Sequence, residues 1–283
     1  MNPTNISSHP ETIRTVDLDP LQYTKCSSLQ HSLAAPILNR INFAAKKRAF
    51  DIGCGDGSIT AELALRIPAG KVTGIDVSQN MINYARQAFS QDAKNLDFRL
   101  QDATLFSETE ASADLITSFS AFHWIRKPED TLRNICKSIT PHGDLAILTY
   151  VKSDYYQFLQ NTLKKYYPRF EKQSAYYTMF SADDYKKALK DSGMIIKEFS
   201  AEHLIASMEN EKAIKDFIAG WLTSFVELPK ELHQDFLDHA MEESKPYRIP
   251  LNNGKINLPY IKLIIIAKKS SNTNCGLSTC IIN

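Results

Sequence analysis

Glycine is concentrated in one short loop of this sequence. The chain has only 10 glycines in 283 residues, about half the usual frequency, yet three of them fall in the run Asp51-Ile52-Gly53-Cys54-Gly55-Asp56-Gly57. The run lies between a short apolar segment, 48–52, and a segment with helical spacing, 58–67. Glycines there let the chain turn tightly and let a ligand lie against bare backbone. The run predicts a ligand-binding turn, although a glycine triplet alone is also compatible with a surface turn.

An acidic residue follows the second predicted strand. Asp76 comes directly after the apolar run 71–75, 25 residues beyond Asp51. A carboxylate at that place can accept hydrogen bonds from both hydroxyls of a ribose. Together with the glycine run, Asp76 favours a nucleoside site over a surface turn.

The acidic residues within the loop distinguish between two kinds of nucleoside ligand that the loop could bind. A dinucleotide site has the spacing G-x-G-x-x-G and a helix N-terminus that is free for pyrophosphate, whereas this loop reads G-x-G-x-G and carries Asp51 and Asp56. A carboxylate repels pyrophosphate, but it suits a ligand that carries an ammonium or a sulfonium. The charges therefore favour an aminoacyl-nucleoside over a dinucleotide.

Short apolar segments alternate with helical segments along the chain. The predicted strands are 48–52, 71–75, 96–100, 114–118, 144–151, 194–199 and 260–267. The predicted helices are 29–43, 58–67, 79–89, 131–139, 154–167, 182–192, 211–225 and 230–243. The alternation in the first half favours β-α-β units and a parallel sheet, hence the α/β class.

Composition excludes several classes of protein. There are 33 basic and 32 acidic residues, a net charge of +1, so we expect no nucleic-acid partner. We expect a cytoplasmic location, since no apolar run has the length of a membrane span and no leader pattern begins the chain. The five cysteines have no C-x-x-C spacing, so we expect neither a disulfide framework nor a bound metal.

These motifs together resemble those of class I S-adenosylmethionine-dependent methyltransferases. The glycine run matches that family's loop, Asp76-Val77 its ribose-binding turn, Asp102-Ala103 its adenine-binding turn, and 114–118 its fourth strand. The resemblance implies a Rossmann-like, seven-stranded, mostly parallel sheet sandwiched by helices, with S-adenosylmethionine as cofactor. The cofactor-binding residues that it implies are Tyr23, Gln30, Asp51, Gly53, Gly55, Asp76, Val77, Met81, Asp102, Ala103 and Ser118.

Two smaller features are similar to the trans-aconitate and juvenile-hormone-acid methyltransferase group. They are Tyr23 with Gln30 before the first motif, and Phe122-His123-Trp124 after the fourth strand. That similarity implies O-methylation of a small-molecule carboxylate. Such a nucleophile is already anionic, so no catalytic base is required, and His123 and Trp124 would position the acceptor. Met81, His123 and Trp124 are also compatible with plain core positions.

The resemblance also implies a division of the chain. We expect a flexible lead-in over 1–20, the methyltransferase domain over 21–269 and a flexible tail over 270–283. A helical lid, within 151–190 and 205–250, would exclude water from a reaction between opposite charges. The aromatic residues predicted to serve that lid are Tyr155, Tyr156, Tyr176, Tyr177, Trp221 and Phe225.

Two other functions stay open on the sequence. One is a methyltransferase directed at a protein or lipid on a host membrane, with 205–250 as the recognition insert. The other is a non-catalytic module that binds the cofactor or a partner. The glycine loop and Asp76 support binding of the cofactor in every case, and they do not by themselves prove turnover.

The last four residues, Cys280-Ile281-Ile282-Asn283, fit the C-a-a-X prenylation pattern. The pattern predicts a prenyl group on Cys280, with Cys275 as a candidate for a second lipid, because a single lipid binds membranes only marginally. It implies a eukaryotic or host prenyltransferase as partner and peripheral association with the cytosolic face of a eukaryotic or host membrane. The alternative is a polar tail with free thiols.

Overall fold

The computed structural model describes Val16 and residues 18–89, 93–108 and 111–270. Most of the predicted lead-in 1–20 and nearly all of the predicted tail 270–283 lie outside the described residues. Cys275 and Cys280, the two predicted lipidation sites, therefore lie outside them as well.

The strands of the described chain belong to one sheet. Their bounds are β1 Arg48–Ile52, β2 Lys71–Asp76, β3 Leu96–Leu100, β4 Ala113–Phe119, β5 Ile139–Tyr150, β6 Met194–Met208, β7 Ile249–Pro250 and β8 Ile256–Lys269. Within the described ranges seven of them follow the order β3-β2-β1-β4-β5-β8-β6, and β7 pairs with β8. Strands β1 to β5 run parallel, while β8 is antiparallel to β5 and β6. The predicted α/β fold with a mostly parallel sheet is confirmed, and the two-residue strand β7 makes the sheet eight-stranded where seven strands were predicted.

Helices connect and flank the strands. The α-helices are α1 Pro20–Leu38, α2 Ser58–Arg66, α3 Gln79–Phe89, α4 Pro128–Ser138, α5 Asp154–Tyr166, α6 Ala182–Asp191, α7 Glu211–Ala219, α8 Leu222–Phe225 and α9 His233–Ser244. Short 3-10 turns lie at Ala103–Leu105, Phe122–Trp124, Pro168–Gln173, Ala175–Tyr177, Lys230–Leu232 and Lys245–Tyr247. Among the described helices, none is long and apolar enough to cross a bilayer.

Strand β1 is the pivot of the sheet. It pairs in parallel with β2 on one side and with β4 on the other. The chain leaves β1 towards β2 and later returns to β4 on the opposite side, so the helices that follow β1 and β4, α2 and α4, lie on opposite faces of the sheet. In an open parallel sheet such a reversal of strand order leaves a crevice at the carboxyl ends of the strands, where ligands bind.

Both faces of the sheet are covered, which explains the nearly continuous apolar strands. Phe50 and Ile52 point to one face, where α4 and α6 cover a core that includes Phe106 and Phe122. Ala49 belongs to the core on the other face, beneath α1, α2 and α3. Helices on both faces bury β1 from Ala49 to Ile52, so the strand shows no alternation between buried and exposed positions.

A third apolar cluster forms a cap beyond the carboxyl edge of the sheet. Its buried side chains come from α5, α7, α8 and α9 and from the first residues of β8. The outer half of β6 supports the cap by pairing antiparallel with β8, whose first residues also pair with β7. From 201 to 208 the residues of β6 alternate between exposed and partly buried, so this half lacks the apolar run that identified the inner half.

Several predicted elements differ from the observed ones. Strands β5 and β8 begin at Ile139 and Ile256, earlier than the predicted 144 and 260. Strand β6 continues to Met208 instead of ending at 199, so 205–208 is not part of a helical lid. Helix α1 begins at Pro20, nine residues before the predicted helix 29–43. The predicted helix 211–225 is interrupted at Gly220, between α7 and α8.

Candidate active site

The crevice beside β1 opens into a cavity of about 530 Å³ between the carboxyl edge of the sheet and the cap. One wall of the cavity, which we call the glycine-loop wall, is formed by the carboxyl ends of β1, β2 and β3 and the residues that follow them. It comprises Gly53, Gly55, Asp76, Val77, Gln101, Asp102, Ala103 and Thr104. The other, here the aromatic wall, is formed by the residues Trp124, Tyr150, Tyr155, Tyr156, Phe217, Trp221 and Tyr260. The cavity therefore joins the predicted nucleoside site to the predicted lid.

The glycine loop passes close to the chain that follows β4. Gly53 has a φ of +72°, and a Cβ added to it would lie 2.2 Å from the Cβ of Ala121. The amides of Gly53 and Cys54 both donate to the carbonyl oxygen of Ile75, at 2.8 and 3.0 Å. Only glycine allows both the left-handed backbone and the close approach. Gly53 therefore holds the turns after β1 and β4 together at the edge of the cavity.

Asp76 binds the glycine loop from the end of β2. One oxygen, Oδ2, accepts the amide proton of Gly55 at 2.9 Å, and Oδ1 accepts that of Ser78 at 2.8 Å. Burial raises the pKa of Asp76, although the amides of Ser78 and Gly55 oppose the shift. Each carboxylate oxygen has a second lone pair, and the residue lines the cavity. Asp76 can therefore accept further hydrogen bonds from a ligand.

Asp51 faces away from the large cavity. Its oxygens accept protons from Thr60 Oγ1 at 2.7 Å and from Thr117 Oγ1 at 2.8 Å. Burial raises the pKa of Asp51 to about 6, against the effect of these two hydroxyls. It lines a smaller void of about 20 Å³, which shares Tyr23 and Gly53 with the large cavity. Its predicted contact with the cofactor stays a prediction.

Tyr23 and Gln30 lie seven residues apart on α1, and both line the cavity. The Tyr23 hydroxyl donates to Gln30 Oε1 at 2.6 Å. Burial raises the pKa of Tyr23, and the nearby carboxylates of Asp56 and Asp76 raise it further. The phenol is therefore neutral, and its ring lies against Gly55, where an added Cβ would approach it to 3.5 Å.

The remaining predicted cofactor residues divide into two groups. Val77, Asp102 and Ala103 line the cavity, and Asp102 Oδ1 caps the turn Ala103–Leu105 by accepting the Thr104 amide at 2.8 Å. Met81 and Ser118 are buried and do not line it. The Ser118 hydroxyl instead donates to the Ile52 carbonyl at 2.8 Å.

His123 and Trp124 connect the two walls of the cavity. Their rings are 4.2 Å apart, and His123 also contacts Tyr150 at 5.0 Å between ring centroids. His123 Nδ1 lies 3.3 Å from Thr149 Oγ1. Burial lowers the pKa of His123 to about 3, so the imidazole is neutral at physiological pH.

Half of the aromatic residues predicted for a lid reach the cavity. Tyr155, Tyr156 and Trp221 line it, with the Trp124 and Trp221 rings 5.4 Å apart. Phe225 is fully buried in the cap, and Tyr177 is half exposed. Tyr176 lies on the cap beside Lys152.

Several cavity residues were absent from the sequence-based set. Ser120 and Tyr150 directly follow β4 and end β5, so the rule that strand ends meet at one edge could have found them. Tyr260 lies on the outer half of β8, and Val16 and Leu18 precede α1. No local pattern marks these last three, because only the packing of distant segments brings them to the cavity.

Comparisons with known proteins agree with this geometry. A family model described as a methyltransferase domain matches residues 44–249. Juvenile hormone acid O-methyltransferase from Bombyx mori is 27% identical over 246 residues, which cover 80% of this chain and 86% of that protein. Trans-aconitate 2-methyltransferase from Escherichia coli (strain 55989 / EAEC) is 24% identical over 263 residues, which cover 90% and 99%.

The fold is shared with solved structures as well. The crystal structure of a protein from Bacillus halodurans C-125 superposes with a TM-score of 0.61 at 14% identity, over 84% of this chain and 99% of that one. Since the family model covers most of the chain, this protein belongs to the methyltransferase domain family. It is an S-adenosylmethionine-dependent methyltransferase.

The residues of the glycine-loop wall fit this cofactor. Asp76 is 8% exposed, and a buried carboxylate is stable only when donors surround it, which the hydroxyls of a ribose would complete. The bare backbone of Gly55 leaves room beside Tyr23. Asp76 and Asp102 are both acids, which suits a cationic ligand.

Proposed function

We propose that the protein transfers a methyl group to the carboxylate of a small acid bound against the aromatic wall. The observation that carries the proposal is the neutral, buried His123, whose pKa lies near 3. A base this weak is a poor acceptor for the proton of an alcohol or an amine. An acceptor that is already anionic needs no such base, and carboxylic acids are ionised at neutral pH.

The residues of the glycine-loop wall would hold the cofactor. Asp76 would accept the ribose hydroxyls, Asp102 with Ala103 would lie at the base, and Tyr23 with Gly55 would border the rest. Asp51, Met81 and Ser118 would support this wall from beneath. S-adenosylmethionine supplies a methyl group on a cationic sulfur, and the protein's part is to position the acceptor and exclude water.

The aromatic wall supports that second role. Tyr156 and Trp221 come from the cap and Trp124 from the turn after β4, and their rings lie 5.4 to 6.3 Å apart. Such a wall displaces water, and a reaction in which opposite charges neutralise each other is faster in a dry site. Holding the two reactants in line can contribute roughly 7–11 kcal/mol. The two curated relatives, named for methylation of juvenile hormone acid and of trans-aconitate, agree with an acid as acceptor.

The test combines cofactor binding with methyl transfer. Calorimetry with S-adenosylhomocysteine should show that Asp76→Ala weakens binding by about 1.5–3 kcal/mol, since a charged hydrogen-bond acceptor is lost. The control is Asp97→Ala, which removes a carboxylate from β3 that does not line the cavity. Equal affinities for the two variants would remove Asp76 from the cofactor site.

Methyl transfer is then measured with radiolabelled S-adenosylmethionine in three fractions: small acids, soluble protein and membranes. We expect label in base-labile methyl esters of small acids. Label mainly in protein or lipid would favour the membrane-directed alternative. Cofactor binding without labelled product in any fraction would favour a non-catalytic module.

Lipid attachment at Cys280, with Cys275 as second site, stays a prediction, because both lie outside the described residues. Incubation with eukaryotic cytosol and an alkyne isoprenoid tests it. A label that is lost in Cys280→Ser would support prenylation and peripheral membrane association, and equal labelling of both proteins would remove the idea.

A further inference from the structure

The sheet has two edge strands, and they differ in how the sequence protects them. Within the described ranges β3 and β6 lie at the two ends of the strand order. An edge strand presents a row of backbone amides and carbonyls that can pair with another chain, and proteins protect such edges with short strands, charged side chains, proline or a bulge. Strand β3 is protected in this way, because it is only five residues long and carries Asp97 and Arg99.

The inner half of β6 is protected as well. Its register with β8 shifts between Ile196 and Glu198, so Lys197 is an extra residue on β6. Arg40 pairs with Glu198 next to this bulge. A bulge bends an edge away from a straight partner, and an exposed lysine opposes the approach of a second strand. This part of the edge therefore disfavours pairing.

The outer half of β6 has none of these devices. From Ala201 to Met208 every residue pairs in unbroken register with β8. The stretch contains no lysine, arginine or proline, and its single carboxylate, Glu202, pairs with Lys262 at 3.0 Å. Among the described residues, none outside β8 forms a hydrogen bond with the backbone of 201–208. The free edge of this stretch is therefore open to a partner strand.

One face of the outer half is also uncovered and partly apolar. Ile205 is 57% exposed, and its direct neighbour on β8, Pro259, is exposed too. Ile249 of β7, 49% exposed, lies on the same face, since directly paired residues of neighbouring strands point to one side of a sheet. The opposite face packs under the cap through Ala206 and Met208. A strand added at this edge would extend the uncovered apolar face.

The charge pattern of the edge fits a second copy of the same strand. In an antiparallel pair about a two-fold axis through Ile205, each Glu202 lies opposite Met208 of the other copy. The residues between them, 203–207, include no carboxylate, lysine or arginine. An axis through Glu202 would instead place two carboxylates opposite each other, which destabilises an antiparallel pair. The register that avoids like charges is thus the one centred on the exposed Ile205.

We propose that two copies of this chain pair antiparallel through the outer halves of β6, about a two-fold axis at Ile205, so that their sheets become one continuous sheet. Every contact then occurs twice and the assembly is closed. The short, charged β3 is left as the outer edge of each copy, which opposes further growth of the sheet. The inference concerns assembly and is independent of the acceptor that the enzyme methylates.

Sedimentation velocity over increasing protein concentration measures the association. The chain has a mass of 32.0 kDa, and we expect the wild type to approach twice that mass. Ile205→Lys places two like charges at the axis, so its dimer Kd should rise by at least about tenfold. The matched control is Ile195→Lys, which changes another exposed isoleucine on the inner half of the same strand and should leave the Kd unchanged. A wild type that stays monomeric, or a Kd that is equal in the two variants, would overturn the inference.

Crosslinking tests the register without weakening the dimer. In a chain whose Cys26, Cys275 and Cys280 are replaced by serine, Ile205→Cys should form a covalent dimer with a short bismaleimide, because opposite residues of antiparallel strands have Cβ atoms about 4.5–5.5 Å apart. In the same dimer the two residues at 195 lie on opposite sides of the axis, about 66 Å apart at roughly 3.3 Å per residue. Ile195→Cys should therefore not crosslink, and equal yields from the two variants would contradict the register.

Hydrogen exchange locates the contact in the unmodified protein. The amides of 202–208 should exchange more slowly as the protein concentration rises, because the partner strand covers them, whereas those of β3 should not change. A dimer that leaves the exchange of 202–208 unchanged would use another surface and would overturn the inference.

Discussion

Two aspartates that flank the glycine loop have opposite surroundings. Asp51 is enclosed by the hydroxyls of Thr60 and Thr117 beneath the loop. Asp76 is held by the amides of Gly55 and Ser78 and faces the cavity. Both pKa values are raised by burial, but of the two only Asp76 lines the large cavity. We therefore expect the charge of Asp51 to affect stability, and that of Asp76 to affect ligand binding.

Asp51 should make the protein less stable as the pH rises through the weakly acidic range. Its folded pKa, about 6, lies above the ordinary value of 3.8, so the native state binds more protons than the unfolded state between these values. The free energy of unfolding therefore falls from about pH 4 to about pH 6, by up to about 3 kcal/mol for this one group. Urea unfolding of the wild type and of Asp51→Asn at several pH values measures the difference. Parallel curves for the two proteins would show that Asp51 is not the titrating group.

Gly53→Ala should be more destabilising than Gly55→Ala, although both residues have a positive φ. The left-handed conformation costs either alanine about 1–2 kcal/mol. Only at Gly53 would the new Cβ also clash, 2.2 Å from that of Ala121, which adds about 1–3 kcal/mol by overpacking. The double variant Gly53→Ala, Ala121→Gly should recover the stability that the clash with Ala121 removes. Chemical denaturation measures all four proteins, and equal losses for the two single variants would contradict the close approach of the turns.

At the scale of the elements, the cap owes its shape to an interrupted helix. Helix α7 ends at Ala219 and α8 begins at Leu222, so that Trp221, between them, lines the cavity. The sequence 211–225 has continuous helical spacing, and Gly220 is the local signal for a break. The interruption turns Trp221 towards Trp124, whereas Phe225 packs inside the cap.

Gly220→Ala should stabilise the protein. Gly220 has right-handed helical angles, φ −62° and ψ −22°, and an added Cβ would meet only ordinary contacts, the nearest being the Phe217 carbonyl oxygen at 3.4 Å. Alanine restricts the unfolded chain and is compatible with this backbone, so we expect a gain of about 0.4–1 kcal/mol. Thermal unfolding measures it. A loss of stability would mean that the interruption needs glycine itself.

At the scale of the whole molecule, the cavity lies between two parts with separate cores. The sheet supplies the glycine-loop wall, and the cap supplies most of the aromatic wall. Arg126, after β4, connects them through Glu227 and the Gln173 carbonyl. A ligand that touches both walls adds contacts across the same gap, so binding should stabilise the molecule as a whole.

Binding of S-adenosylhomocysteine should therefore raise the melting temperature. A ligand at one hundred times its Kd adds about 2.7 kcal/mol to the free energy of unfolding. Differential scanning calorimetry at increasing concentrations should show a continuous upward shift. Asp76→Ala should need about tenfold to a hundredfold more ligand for the same shift, and a wild type without any shift would contradict binding to the folded state.

Local sequence patterns were enough to predict several secondary-structure elements and the ligand-binding turn of this protein. The apolar runs of β1, β2 and β3 and the amphipathic spacing of α2 and α3 predicted those elements nearly to the residue. The glycine loop and Asp76 were recognisable because turn chemistry and strand ends depend on neighbouring residues alone. These features imply the fold, the cofactor and one wall of the cavity.

Only the tertiary structure brought the other wall together. The sequence named Trp124, Tyr155, Tyr156 and Trp221 as candidates, but only packing places them beside one another and beside Tyr260 of β8. Whether a tyrosine hydroxyl has a partner, or a histidine is desolvated enough to stay neutral, depends on atoms contributed by distant parts of the chain. Hydrophobic periodicity and turn residues are local properties, whereas burial and hydrogen-bond satisfaction arise from packing, so the aromatic wall became visible as one surface only in three dimensions.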